Sequence, residues 1–126
     1  MGLNQYAKIF VGIKIDNKDM LDHIGFYDPE YPDDYNGKSL EAAKIIYEKF
    51  DTCYDCMCGE YLYIGKEVYE SEDNRWNPWY WDESYTLDEL RKMFNEVRST
   101  IGQIDKDHPY LIKFPEPKLH FFIHTL

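Results

Sequence analysis

The sequence predicts a single α+β domain over residues 1–126, in which a four-stranded, mostly antiparallel sheet packs against two amphipathic helices in the order β-α-β-α-β-β. Apolar residues alternate at the period of a strand in several segments and recur at helical spacing in two others. A chain of this length also buries one core without metal or disulfide support. A layout with one right-handed parallel crossover fits the same pattern.

The first half of the chain is predicted to form a strand, a loop, a helix and a second strand. Residues 6–16 alternate in polarity, and their apolar face comprises Ile9, Val11, Ile13 and Ile15. Residues 17–38 are acidic and rich in turn-forming residues, which favours a structured loop. A helix is predicted after Ser39, whose hydroxyl suits an N-cap, and it continues to Phe50. Residues 60–70 alternate as the second strand, which puts Leu62, Ile64 and Val68 on one side and Tyr61, Tyr63 and Tyr69 on the other.

The second half is predicted to form a helix and two strands. Thr86 and Glu89 have the spacing of a capping box, and Gly102 is a natural helix end. Residues 110–114 and 118–126 both have strand character, and the Pro-Glu-Pro sequence between them suits the corner of a hairpin.

Charge narrows the classes of function. The chain has 24 acidic residues against 14 Lys and Arg, a net charge of −10. Direct binding to nucleic acid or to anionic membranes needs clustered cations, so both are disfavoured. A basic protein partner, a metal ion or simple solubility fits this charge. The chain begins with no charged-then-apolar leader and has no apolar run near ~18 residues, which favours a cytoplasmic protein.

The most distinctive stretch is residues 72–85, which hold all three tryptophans between acids. Interfaces are enriched in Trp, Tyr and Arg, and binding residues collect on loops. The predicted partner-binding anchors are Trp76, Trp79, Tyr80 and Trp81. The predicted acidic field comes from Glu72, Asp73, Asp82 and Glu83, and from a second loop with Asp28, Glu30, Asp33 and Asp34. The alternative is that the large rings plug the core.

These features predict a small interaction protein without catalytic activity, which binds and occludes a basic, nucleic-acid-handling partner. If the two loops meet, carboxylates and rings together would imitate the phosphates and bases of a nucleic acid. In size and composition the chain is similar to small phage-encoded proteins that block host defences, including some anti-CRISPR and anti-restriction inhibitors. That likeness concerns overall character and no particular residue.

Two other classes of function stay open. Cys53, Cys56 and Cys58 form a C-x-x-C-x-C cluster that suits zinc if a fourth ligand such as His23 or His108 completes it. The alternative for these thiols is packing as small apolar groups. Carboxylates beside tryptophan platforms would also suit a carbohydrate-binding or carbohydrate-active protein.

His120 and His124 share a face of the last strand. They lie ~13 Å apart along it, which is too far for both to bind one metal ion directly, so they are expected to flank Phe122 on a partly solvated face.

Overall fold

The computed structural model describes residues 5–71 and 83–125. The described chain forms an antiparallel sheet and three α-helices, which confirms the α+β class. The elements are β1 (Gln5–Ile15), α1 (Lys18–Ile24), a 3-10 turn (Pro32–Asp34), α2 (Leu40–Lys49), β2 (Asp51–Tyr54), β3 (Leu62–Glu70), α3 (Leu87–Asp107) and β4 (Lys118–Thr125).

The sheet has the strand order β2-β3-β1-β4, and every neighbouring pair is antiparallel. Strands β1 and β2 therefore run in the same direction with β3 between them. This is the connectivity of two interlocked split β-α-β units. The predicted order is wrong, because two helices precede β2, two strands instead of one lie between α2 and α3, and no strand lies between α3 and β4.

The first difference is α1, which lies in the segment predicted to be a loop. The Asn17 side chain accepts hydrogen bonds from the Asp19 and Met20 amides and starts this helix. Leu21 and Ile24 are buried beneath it. Seven residues are too few for a clear helical period, so turn-forming residues dominated the prediction.

Two further differences lie near α3. The helix passes through Gly102, an exposed position at which an added Cβ would meet nothing within 4 Å. Gly in a helix costs about 1 kcal/mol relative to Ala, and burial of Ile104 two residues later offsets that cost. Residues 110–114 form no strand; Ile112 and Phe114 pack against the core instead, with the Phe114 ring centroid 6.1 Å from that of Phe50.

The predicted second strand is confirmed as β3, but its pattern of faces is not regular. The pairing of β1 with β3 shifts between Ile9 and Phe10, which are opposite Tyr69 and Glu67 respectively. Val68 is the extra residue of this bulge. Tyr69 therefore leaves the side that Tyr63 occupies, because a bulge reverses the alternation beyond it.

One face of the sheet forms the main core with the helices. Its centre contains three of the four residues predicted for the apolar face of β1, namely Val11, Ile13 and Ile15, together with Leu62 and Ile64 of β3. Ala43 and Ile46 of α2 and Val97 and Ile104 of α3 are buried against this side. Within the described residues, no helix is both long and apolar enough to cross a membrane.

The opposite face of the sheet, here called the aromatic face, carries a second core. It contains Phe10, Cys53, Tyr61, Tyr63 and Phe122. Tyr63 is opposite Lys14 on β1, whereas Phe122 is opposite Lys8, a span of ~20 Å along an extended strand. Their rings nevertheless stack, with centroids 3.7 Å apart and planes within 5°. The sheet must therefore curl around this face.

A pair of glycines lies where the sheet curls. Gly12 of β1 and Gly65 of β3 are directly opposite each other. A Cβ at Gly12 would collide with the carbonyl oxygen of Ile64, and Gly65 has φ of 146°, a conformation that side chains disfavour. Close backbone approach at this point thus requires glycine.

Candidate functional site

The predicted partner-binding residues fall into two groups. Seven of them lie outside the described residues: Glu72, Asp73, Trp76, Trp79, Tyr80, Trp81 and Asp82. The other five are described: Asp28, Glu30, Asp33, Asp34 and Glu83. Both placements of the tryptophans, in the core or on the surface, therefore stay predictions from the sequence.

Residues 28–34, here called the acidic loop, form an ordered turn. The Asp28 carboxylate accepts a hydrogen bond from the Glu30 amide at 2.9 Å, and the Asp28 carbonyl accepts one from the Tyr31 amide at 3.0 Å. The Tyr31 carbonyl accepts from the Asp34 amide at 3.0 Å within the 3-10 turn. The hydrogen bonds to Asp28 and the restricted φ angles of the two prolines fix the backbone of this loop.

An aromatic base holds this loop against the domain. The Tyr27 ring packs edge-on against Tyr35 and Tyr47, with centroids 6.4 and 6.2 Å apart. Phe26 lies 5.5 Å from the Tyr54 ring of β2 and bridges to Asn36 through the backbone. The loop is thus anchored at the end of the sheet where β1 stops.

The tip of the acidic loop exposes acidic side chains on both sides of an aromatic ring. Glu30, Asp33 and Asp34 are exposed, and Tyr31 between them is 61% exposed. Among the described residues, no salt bridge involves any carboxylate of the acidic loop. The loop therefore offers negative charge and an amphipathic ring to an approaching molecule.

The described flanks of the tryptophan stretch lie at the other end of the sheet. Ser71 follows β3, and its amide donates to the carbonyl of Ala7 near the start of β1. Glu83 is exposed and accepts a hydrogen bond from the Tyr85 hydroxyl at 3.4 Å. Tyr85 in turn lies within electrostatic range of Tyr69, near the end of β3. Both flanks therefore lie at the opposite end of the strands from the acidic loop.

The cysteine cluster is divided between two environments. Cys53 is 4% exposed on the aromatic face, and burial raises its pKa to about 12. Cys56 and Cys58 are exposed in the following turn. That turn is organised by Asp55, whose buried carboxylate accepts from the amides of Met57, Cys58 and Glu60. Within the described residues, no three His, Cys, Asp or Glu side chains come together as a metal site requires.

The two histidines of β4 have separate partners on either side of Phe122. His120 Nε2 lies 3.1 Å from the Gly12 carbonyl oxygen, and His124 Nδ1 lies 3.0 Å from the Tyr61 hydroxyl. Burial lowers the pKa of both imidazoles. Their strand spacing and position beside Phe122 follow the prediction, but His124 is buried and not on a partly solvated face, because the curled sheet covers it.

Sequence reasoning did not find that the aromatic face closes on itself. Alternation in the sequence puts Phe10 on the face of β1 opposite to Val11, and Tyr61 on the same side as Tyr63, but alternation within one strand carries no information on contacts between strands. The signal that was available is a glycine in each of two predicted strands, at Gly12 and Gly65, since glycine inside a strand marks a bend or a close backbone approach.

Comparison with known protein families, curated proteins and solved structures finds no match to this chain.

Proposed function

We propose that this protein is a non-catalytic inhibitor that docks its acidic loop onto a basic, nucleic-acid-handling protein and occludes that protein's binding site. In the cell it acts in the cytoplasm, in the manner of phage-encoded proteins that block restriction or CRISPR systems.

The observation that supports this proposal is the ordered acidic loop, with exposed carboxylates on both sides of exposed Tyr31. A loop that is already fixed loses less conformational entropy when it binds. Its exposed negative charge speeds encounter with a basic surface and disfavours acidic partners. Tyr31 supplies the apolar contact area that charge alone lacks, because aromatic rings carry much of the energy of interfaces.

The thiols support a binding role over covalent catalysis. A cysteine nucleophile needs a lowered pKa and access to substrate. Cys53 is buried, and burial raises its pKa. Burial, together with nearby Asp55, also raises the pKa of Cys56.

Partner capture with charge-matched variants tests the proposal. The test variant is E30Q/D33N, which removes two charges from the acidic loop. The control is E48Q/D105N, which removes the same two charges from exposed positions on α2 and α3. Each protein is immobilised, exposed to the native cytoplasm, and its captured proteins are identified by mass spectrometry.

The proposal expects a captured protein that binds nucleic acid, loss of most of that capture with E30Q/D33N, and retention with E48Q/D105N. Duplex DNA added in excess should release the captured protein, since both compete for one site. Equal capture by the two double variants would contradict a role for the acidic loop.

Two additional measurements separate steering from anchoring. Association with the isolated partner should slow as salt rises, because exposed charges are screened beyond a Debye length of about 10 Å at 0.1 M. Tyr31→Ala should speed dissociation, whereas Tyr110→Ala, at a tyrosine that is 99% exposed elsewhere, should not. An association rate that ignores salt would refute electrostatic steering.

A further inference from the structure

One hydrogen bond joins the two ends of the curled aromatic face. Tyr61 directly precedes Leu62, which is opposite Ile15 at the end of β1, whereas His124 is opposite Tyr6 at the start of β1. A straight strand would separate these two positions by ~30 Å. The Tyr61 hydroxyl and His124 Nδ1 are instead 3.0 Å apart, and their rings meet edge-on with centroids 6.2 Å apart.

His124 is buried at this junction, with only 5% of its surface exposed. It lies on β4, an edge strand that pairs with β1 in the described sheet. The titratable and charged groups around it come from every packed element: Tyr6 and Lys8 of β1, Asp55 after β2, Tyr61 before β3, and Glu67 of β3. The cation of this group, Lys8, is itself 9% exposed and paired with Glu67 at 2.9 Å.

We propose that Tyr61 and His124 form an acid-sensitive clasp, which holds the sheet curled at neutral pH and loosens β4 when His124 takes up a proton. The two residues are connected through the curled sheet, so a change at this one contact acts on both ends of the aromatic face.

The physical reason is the cost of a positive charge at this site. Burial is the main cause that lowers the pKa of His124, and the Lys8 ammonium adds to it; the carboxylates of Asp55 and Glu67 act in the opposite direction but are outweighed. A protonated imidazole is still able to donate to the Tyr61 oxygen, so the penalty arises from the charge and not from a missing partner. Tyr61 stays neutral throughout, because burial raises its pKa to about 12.

The direction of the pH effect follows from linkage. The unfolded chain holds a proton on His124 up to about pH 6.5, whereas the closed fold gives it up at lower pH. The closed state is therefore fully favoured above about pH 6.5 and loses stability as the pH falls below that value.

Proton NMR of the intact protein provides the first test. The imidazole resonances of His124 should titrate with a midpoint below about 6.5, the ordinary pKa of histidine. Hydrogen-exchange protection of the β4 amides, corrected for intrinsic rates, should fall between pH 7.5 and pH 5.5, while protection in α3 falls less. This test needs no variant.

Variants then assign the effect to the clasp. His124→Gln should abolish the pH dependence of β4 protection, whereas His23→Gln should preserve it. Tyr61→Phe should lower β4 protection already at pH 7.5, and Tyr110→Phe should not. A His124 midpoint at or above about 6.5, or β4 protection that is unchanged over this pH range, would overturn the proposal.

Discussion

Replacing Phe10 with Ala tests whether the aromatic face is a true second core. Phe10 is completely buried, with the rings of Tyr63 and Phe122 at centroid distances of 6.2 and 5.8 Å. Removing the ring forfeits about 1.5–3 kcal/mol of transfer free energy. The ~100 Å³ that it vacates adds up to ~2.4 kcal/mol at ~24 cal/mol per Å³, less whatever the neighbours recover by relaxing. We therefore expect the free energy of unfolding to fall by about 3–5 kcal/mol.

Thermal and urea unfolding followed by circular dichroism measure this loss. A chain of 126 residues has an unfolding entropy near 0.26 kcal/mol/K, so the Tm should drop by about 10–20 °C. The matched control is Tyr110→Ala, which removes a ring that is 99% exposed and should change stability by less than about 0.5 kcal/mol. A loss below 1 kcal/mol for Phe10→Ala would refute the idea that the curled face is packed.

Two other expectations concern the curl and the thiols. Gly12→Ala should destabilise the domain by at least about 3 kcal/mol, because its methyl group would collide with the carbonyl of Ile64 in the neighbouring central strand; an unchanged urea midpoint would show that the strands separate easily there. In the native protein a thiol reagent such as DTNB should modify Cys56 and Cys58 quickly and Cys53 only on unfolding, because Cys53 is buried with its pKa raised to about 12. Three equally fast thiols would contradict the burial of Cys53.

Local patterns in the sequence predicted several parts of the fold. The alternation in residues 6–16 identified β1 and its core-facing residues Val11, Ile13 and Ile15. Ser39 and Thr86 act as predicted N-caps, with hydroxyls that accept from the amides of Ala42 and Glu89. Such patterns are readable because capping and alternation depend on residues within one turn or one strand.

Other parts were decided by contacts between distant segments. The continuation of α3 past Gly102 depends on burial of Ile104, and residues 110–114 lie on the core beside Phe50 and not in the sheet. Intrinsic propensity is a weak guide wherever tertiary packing competes with it.

For the candidate site, the sequence by itself determined the acidic loop, because charge and turn-forming residues are properties of the segment alone. It also determined that His120 and His124 share a face beside Phe122. Only the tertiary structure decided that Tyr35, Tyr47 and Tyr54 help to form the base beneath that loop. The tertiary structure also decided the curl that joins Tyr61 to His124, because this curl depends on Gly12 and Gly65 being opposite each other. Strand register is a property of the pairing and not of either strand alone.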